Sequence, residues 1–186
     1  QRLGLQAAVV TSCAPGDEML LEPLREEGVW VEVQTSIGTT TFANSYDAEG
    51  RRAQVLSARA TPLLLDHVPA AWRHAQIVHL GPIAQELPND MANAFGESLL
   101  GITPQGWLRQ WDEAGNVSHS AWPIPTVLVG LPGNTCLIMS MEDLGFGPAL
   151  IKEYIHLAPV VALTNGYDEA SVYNRGLEAK VPTHKR

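Results

Sequence analysis

Short runs of apolar residues recur along the chain and are separated by segments of mixed polarity. Continuous apolar runs between turn residues are typical of strands buried on both faces, and the mixed segments are typical of helices. We therefore predict strands at residues 7–11, 77–80, 100–102, 135–139 and 160–163. Helices are expected at residues 16–28, 90–99, 124–131 and 148–157. This alternation predicts a three-layer α/β/α sandwich with a mainly parallel sheet.

Residues 29–58 follow a different pattern. Apolar and polar residues alternate in the first part, and a β-branched run follows. The sequence Asp-Ala-Glu-Gly at 47–50 then forms a turn, after which a second short strand returns. Alternation with period two around such a turn predicts antiparallel strands. We therefore divide the chain into an α/β core of residues 1–28 and 59–186 and a small antiparallel β-lid of residues 29–58.

Composition and charge narrow the function classes. Hydrophobic residues make up 45% of the 186 residues, charged residues make up 17%, and the formal net charge is −8. Lys and Arg are scattered, so a nucleic-acid partner is not expected. No apolar run approaches the roughly 18 residues of a membrane span, so no membrane partner is expected either. Cys13 and Cys136 lie far apart, which argues against a disulfide framework or a zinc site and favours a cytoplasmic location.

The last predicted strand of the core ends in the sequence Thr164-Asn165-Gly166. Small residues at the carboxyl end of a strand leave backbone N–H groups and a hydroxyl exposed. Open α/β sheets bind ligands, including phosphates, at that edge. An ordinary strand-to-turn connection would use the same residues. Two short strands are predicted after this turn, at 170–173 and 178–181, joined through Arg175-Gly176.

The order of these segments resembles that of the ribokinase-like (PfkB) carbohydrate kinases over essentially the whole chain. Residues 3–10 are similar to the family's second strand and the helix end before it, and residues 16–29 to the next helix. Residues 39–52 resemble the β-lid hairpin, and Val78-His79-Leu80-Gly81-Pro82 resembles the strand end that faces the sugar. Residues 103–111 are similar to the Asp-x-x-x-x-x-Arg stretch of many members.

The chain also departs from the family pattern. A Gly-Gly region would lie before Gln1, and an Asp-x-x-Gly-Ala-Gly-Asp motif, which supplies the general base, would lie just after Arg186. The resemblance therefore implies an interior part of such a kinase, with no catalytic base in this chain. The family's Asn-x-x-Glu motif stands here as Ser140-Met141-Glu142-Asp143. Glu169 replaces a small residue in the Thr-x-Gly-x-x-Gly turn, where a carboxylate would repel phosphates unless it points to solvent.

The resemblance implies ATP-dependent phosphorylation of a hydroxymethyl group on a sugar or nucleoside-like small molecule, with ATP and Mg²⁺ as cofactors. Thr164, Gly166 and Ser140 would contact the nucleotide phosphates. Asp143 would hold Mg²⁺ through a water. The substrate-binding residues that the resemblance implies are Gly81, Thr40, Phe42, Gln105 and Arg109.

These residues also have plainer interpretations. Ser140 is followed three residues later by Asp143, which is close to the spacing of a capping box. Gly81 would be a turn glycine, and the lid residues would only pack the sheet. Arg109, which stands between two tryptophans, would be a stacked surface cation or would order the site. His79 is the only histidine beside the expected site, and the histidines form no cluster.

Two rival functions remain at this stage. A catalytically degenerate ribokinase-like protein would bind a small metabolite without turnover, as the changes at Ser140, Asp143 and Glu169 suggest. An unrelated doubly wound protein, such as a flavodoxin-like domain, would not account for the inserted hairpin. A homodimer through exposed lid strands is also expected. If these residues were the whole polypeptide, we would expect low stability, because part of the sheet would lack its cover.

Overall fold

A computed structural model describes residues 4–120, 124–145 and 147–183. Of residue 148 it describes only the backbone. Gln1, Arg186, the first residue of the segment 3–10 and the histidine at position 184 lie outside these residues. The chain divides into two compact units. The bounds of the first unit are Gln1–Arg73, Glu86–Pro88 and Trp111–Val117, and those of the second are His74–Gln85, Asn89–Gln110 and Ser118–Arg186.

The first unit begins with two parallel strands, β1 (Ala8–Cys13) and β2 (Trp30–Thr35). A 3₁₀ helix (Pro15–Leu21) and the short helix α1 (Glu22–Glu26) connect them. The sequence predicted one amphipathic helix here. Pro23 explains the break, because a proline lacks the N–H that a continuous helix needs and its ring clashes with the preceding turn.

The antiparallel hairpin of the first unit consists of β3 (Thr41–Tyr46) and β4 (Arg52–Ala58). The predicted turn between them is present, and the Asp47 carboxylate accepts hydrogen bonds from the backbone N–H groups of Glu49 and Arg51 at 3.0 and 2.8 Å. The expectation of a single antiparallel patch was wrong for β2, which pairs in parallel with β1. Alternation of apolar and polar residues predicts a half-exposed strand but does not fix the direction of the strand it pairs with. The β1–β2 pairing lies within one unit, which contains both residues 1–28 and residues 29–58.

The second unit contains a six-stranded sheet. Its strands are β5 (Ile77–Leu80), β6 (Leu99–Ile102), β9 (Thr135–Ser140), β10 (Val160–Asn165), β11 (Asp168–Asn174) and β12 (Leu177–Val181). Their order across the sheet is β12-β11-β10-β9-β6-β5. The strands β5, β6, β9 and β10 run parallel, and β11 and β12 return as antiparallel hairpins. The predicted mainly parallel α/β sheet with an antiparallel hairpin elsewhere in the chain is therefore confirmed. A two-stranded sheet, β7 (Arg109–Trp111) and β8 (Val117–His119), has its predicted turn at residues 112–115.

Helices in the second unit are shorter than the sequence predicted. Among the described residues of this unit, the α-helices are α2 (Gln105–Leu108) and α3 (Ile151–Tyr154). The predicted helices at 90–99 and 124–131 are reduced to 3₁₀ turns, and that at 148–157 to a 3₁₀ turn followed by α3. Glycine and proline next to each segment limit its length, because neither residue favours helix continuation.

The 3₁₀ helices of both units, outside the β1–β2 connection, are Leu65–His67, Ala70–Trp72, Met91–Phe95, Thr126–Leu128 and Pro148–Leu150.

The two faces of the six-stranded sheet differ in exposure. Successive side chains of a strand point to opposite faces, so Leu99 and Leu100 lie on different sides of β6. Leu100 is fully buried, whereas Leu99 and Ile77 on β5 are each 56% exposed. The buried face carries the core of this unit. Its members are Leu80, Leu100, Ile102, Leu137, Met139, Val161 and Leu163.

Alanine substitutions at neighbouring positions of β6 should separate the two faces. We expect Leu100→Ala to lower the free energy of unfolding by about 2–5 kcal/mol, because it leaves a cavity in the core. The matched variant Leu99→Ala should cost within about 0.5 kcal/mol, as expected for an exposed position. Urea unfolding followed by circular dichroism measures both, and equal losses would contradict the assignment of the faces.

Candidate functional site

The carboxyl ends of β9 and β10 bring two predicted phosphate-binding residues together. Ser140 and Thr164 are register partners in the parallel pair. The backbone N–H of Met141 donates to the Thr164 carbonyl at 3.0 Å, and the Thr164 hydroxyl donates to the Met139 carbonyl at 3.2 Å. Thr164 is exposed. The two strand ends are thus fixed side by side with a hydroxyl at the edge where α/β sheets bind ligands.

Ser140 and Asp143 bond to each other within one turn. The Asp143 Oδ2 accepts from the Ser140 N–H at 2.7 Å and from the Ser140 hydroxyl at 2.9 Å. The Asp143 N–H donates back to Ser140 Oγ at 3.2 Å. This reciprocal arrangement is that of a capping box, although a turn rather than a helix follows it.

Asp143 is only 2% exposed, and its second carboxylate oxygen, Oδ1, is buried with no hydrogen-bond partner among the described residues. Burial, together with the charge of Asp143, raises the pKa of Tyr154 to about 12. A buried unbonded carboxylate oxygen is costly, so an ordered water would stabilise it.

The oxygen atoms at this edge bear on whether Mg²⁺ could bind here. In residues 4–120, 124–145 and 147–183, no group of three or more His, Cys, Asp or Glu side chains converges on one point. The hydroxyls of Ser140 and Thr164 and the Asp143 carboxylate are nevertheless the oxygen donors that Mg²⁺ prefers. Mg²⁺ usually keeps several waters and binds through one or two carboxylates and substrate phosphates. The donor set therefore fits a magnesium ion held mainly by phosphates and water, with Asp143 as an outer partner.

The turn between β10 and β11 is open. Gly166 has a φ of +58°, and no atom lies within 4 Å of the position where its Cβ would be. Glu169 follows on β11 and is exposed. The pairing register of β10 and β11 shifts next to this residue. Lys180 on β12 has a raised pKa, chiefly because of its hydrogen bond to Glu178 and also because of the Glu169 charge. The Glu169 carboxylate thus meets the condition set by the sequence, because it is exposed to solvent.

The carboxyl ends of β5 and β6 carry a second polar group. Thr103 Oγ1 lies 3.0 Å from Nε2 of the exposed His79. Gly81, the predicted substrate-side glycine, follows the strand and is also exposed. Sequence reasoning noticed His79 but not its partner. Gly101 in the interior of β6 was the available signal, because a glycine within a strand marks a close approach.

Arg109 lies in the interior of the second unit. Its guanidinium, in a residue 5% exposed, donates from Nη1 to the Ile83 carbonyl at 2.8 Å, and its own carbonyl accepts from Gln85 Nε2 at 2.6 Å. The stacked-surface interpretation of Arg109 was wrong, because the residue is buried. The cation that lies over the Trp111 ring is Arg59, at 5.7 Å. Through its bond to Ile83, Arg109 orders the segment after β5. Gln105, four residues before Arg109, is the first residue of α2 and is half-buried.

The predicted lid residues lie in the first unit. Thr40 Oγ1 accepts from the Ala60 N–H at 3.0 Å, and Phe42 is the register partner of Leu56 in the hairpin. Sequence reasoning treated Asp17 only as a helix-start carboxylate. The structure also makes it the acceptor of the Thr39 hydroxyl. A run of small polar residues after β2 was the signal for this loop.

None of the helices in the part of the chain that the structure describes combines the length and the apolar composition needed to cross a bilayer. No protein-family model matches the chain, and no curated protein matches it.

Solved structures do match the chain. A pyrophosphate-dependent kinase in the ribokinase family is 20% identical with a TM-score of 0.80, over 98% of this chain and 67% of that chain. The chain has a ribokinase-like fold. A pyrophosphate-dependent myo-inositol-1 kinase, converted by mutation into a myo-inositol-3 kinase, matches with 18% identity and a TM-score of 0.77, over 97% of this chain and 63% of that chain. Ribokinase from Thermotoga maritima matches with 13% identity and a TM-score of 0.64, over 100% of this chain and 62% of that chain.

The predicted resemblance to ribokinase-like kinases is confirmed at the level of the fold, which is what identities of 13% to 20% establish. The chain spans between 62% and 67% of the length of the three structures named above.

The bonds within the Ser140–Asp143 turn should contribute to stability. We expect Asp143→Ala to lower the free energy of unfolding by about 1–3 kcal/mol, because the Ser140 N–H is left unbonded in a partly buried position. Glu153→Ala, at an exposed position of α3, is the control and should change it by less than about 0.5 kcal/mol. Thermal and urea unfolding measure both variants. A loss at Asp143 no larger than that of the control would show that the turn is held by other contacts.

Proposed function

We propose that this chain forms part of an ATP-dependent kinase that phosphorylates a hydroxymethyl group on a sugar or nucleoside-like small molecule. The observation that carries the proposal is the pairing of Ser140 with Thr164 beside the open turn at Gly166. Phosphoryl transfer asks a protein mainly for positioning and charge stabilisation. Exposed N–H groups and hydroxyls at strand ends supply both.

In this proposal the donor phosphates lie over the ends of β9 and β10. The backbone N–H groups around Gly166 bind phosphate oxygens, and the Thr164 hydroxyl exchanges its bond to the Met139 carbonyl for one to a phosphate oxygen. Ser140 lines the same edge. Those phosphates and a water bonded to Asp143 Oδ1 would hold Mg²⁺, which would neutralise charge on the transferred phosphoryl group.

The acceptor in this proposal lies over the ends of β5 and β6. Gly81 leaves space for it, Gln105 contacts it, and Arg109 orders the segment between them rather than binding through an exposed guanidinium. Thr40 and Phe42 remain predicted substrate contacts of the lid, and a homodimer through the lid strands remains a prediction.

Pyrophosphate is the second candidate donor. Three of the matching solved structures are described as pyrophosphate-dependent kinases, and one of these as a myo-inositol kinase. Both donors would present a phosphate chain to the turn at Gly166, and only ATP would also need a pocket for its base. A donor comparison therefore belongs in the first experiment.

Binding without turnover is the alternative class of function. Ser140 and Asp143 form hydrogen bonds with each other. Ser140 stands in place of the Asn of the family motif, and Asp143 in place of its Glu. A degenerate member with this turn would bind a metabolite but would not organise magnesium for transfer.

A donor-by-acceptor assay on the natural polypeptide that carries this sequence tests these functions. ATP and pyrophosphate are each combined with ribose, fructose, adenosine and myo-inositol in the presence of Mg²⁺, and phosphorylated product is detected by phosphorus NMR. We expect turnover with at least one pair. Binding of an acceptor by calorimetry without turnover would favour the degenerate alternative, and neither binding nor turnover would overturn both.

Thr164→Val tests the phosphate site directly. Loss of a hydrogen bond to a charged group costs about 1.5–3 kcal/mol, so kcat/KM for the donor should fall roughly ten- to hundredfold. Ser118→Ala, at an exposed position of β8, should leave it unchanged. An unchanged kcat/KM in Thr164→Val would remove Thr164 from the site.

A further inference from the structure

The imidazole of His79 lies directly over Gly101. The two residues are register partners in the parallel pair of β5 and β6. A Cβ built at Gly101 would lie 2.7 Å from His79 Nδ1 and 3.6 Å from Cε1 and Cγ of the same ring. Any other residue at position 101 would therefore displace the ring. Gly101 is needed because the ring occupies the space that a side chain would fill.

Thr103 is held in place from two directions. Its backbone N–H donates to the Leu80 carbonyl at 3.0 Å, which extends the pairing of β5 and β6 beyond β6. Its hydroxyl lies 3.0 Å from His79 Nε2. A threonine hydroxyl can donate one hydrogen bond and accept two, so the contact with His79 leaves it able to make at least one more.

The ring is open to an incoming molecule. His79 is exposed, and Thr103 is half-buried. On another side of the ring, a Cβ built at Gly81 would lie 3.8 Å from His79 Cδ2. The ring itself fills the space beside Gly101, whereas Gly81 carries no side chain and leaves that side of the ring open.

The parallel strands β5, β6, β9 and β10 end along one edge of the sheet. Open α/β sheets bind ligands outside the carboxyl ends of their strands, and His79 and Thr103 lie at that edge. β5 and β9 are two strand spacings apart, about 10 Å, so a small molecule here lies next to phosphates bound at Ser140.

We propose that Thr103, oriented by His79, is a hydrogen-bonding group for the hydroxyls of the phosphoryl acceptor. The inference rests on the proposed function and adds an acceptor-side residue to it. His79 acts as a positioning residue. If Nε2 carries the proton, the threonine hydroxyl is free to donate, and if Nε2 accepts, the threonine oxygen keeps its lone pairs for an acceptor O–H. The chemistry suits a neutral polyhydroxylated ring, whose hydroxyl groups both donate and accept.

Steady-state kinetics with separate titration of donor and acceptor test this inference. In Thr103→Val we expect KM for the acceptor to rise about three- to tenfold, with KM for the donor unchanged, and Thr103→Ser should stay close to the parent. Gly101→Ala should raise the acceptor KM in the same way as His79→Ala, because it displaces the ring without removing a polar group. His74→Ala, at an exposed position of the same unit, is the control.

Calorimetric binding of the acceptors used above, without donor, separates the two proposals. Weaker acceptor binding in Thr103→Val supports the inference even if no turnover is found, in which case the kinase function alone fails. Turnover with an unchanged acceptor KM in both Thr103→Val and His79→Ala overturns the inference and leaves the kinase function intact. If none of the acceptors binds or turns over, both are overturned. Circular dichroism of each variant verifies that the fold is retained.

Discussion

The parallel register of β9 and β10 is the constraint on which the candidate site depends. It sets Ser140 opposite Thr164, and the hydrogen bond from Met141 to the Thr164 carbonyl fixes the two strand ends after the last ladder pair. The turn at residues 141–145 and the hairpin turn at Gly166 then leave from one edge. A shift of one residue in this register would turn the Thr164 side chain to the other face of the sheet.

Hydrogen bonds from buried polar side chains fix the loops at the carboxyl edge of the sheet. Asp143 satisfies the Ser140 N–H, and Arg109 holds the carbonyl of Ile83 in the segment after β5. Groups of this kind are costly when a partner is removed, so they favour one arrangement of the loops over others. A binding edge that is ordered before a ligand arrives loses little free energy on binding and can stabilise developing charge without rearranging.

Strand positions could be predicted from the sequence because short apolar runs at 77–80, 135–139 and 160–163 have few alternatives to burial in a sheet. Helices could not be predicted to their full extent, because prolines such as Pro23 break what periodicity would continue. The parallel partner of β2 was missed, since alternation is blind to strand direction. Two features could not be predicted because they depend on contacts between residues distant in sequence: the burial of Arg109 and the placement of His79 over Gly101. The glycine within β6 was the one sequence signal for the placement of His79.

Backbone amide NMR on addition of methylenediphosphonate, a pyrophosphate analogue that is not hydrolysed, tests the central claim most directly. If the carboxyl edge of β9 and β10 binds phosphates, the largest shifts will fall on the amides of residues 140–143 and 164–167, and those of β12 will be unchanged. Shifts concentrated in β1 and β2, or no shifts at millimolar analogue, would contradict the account.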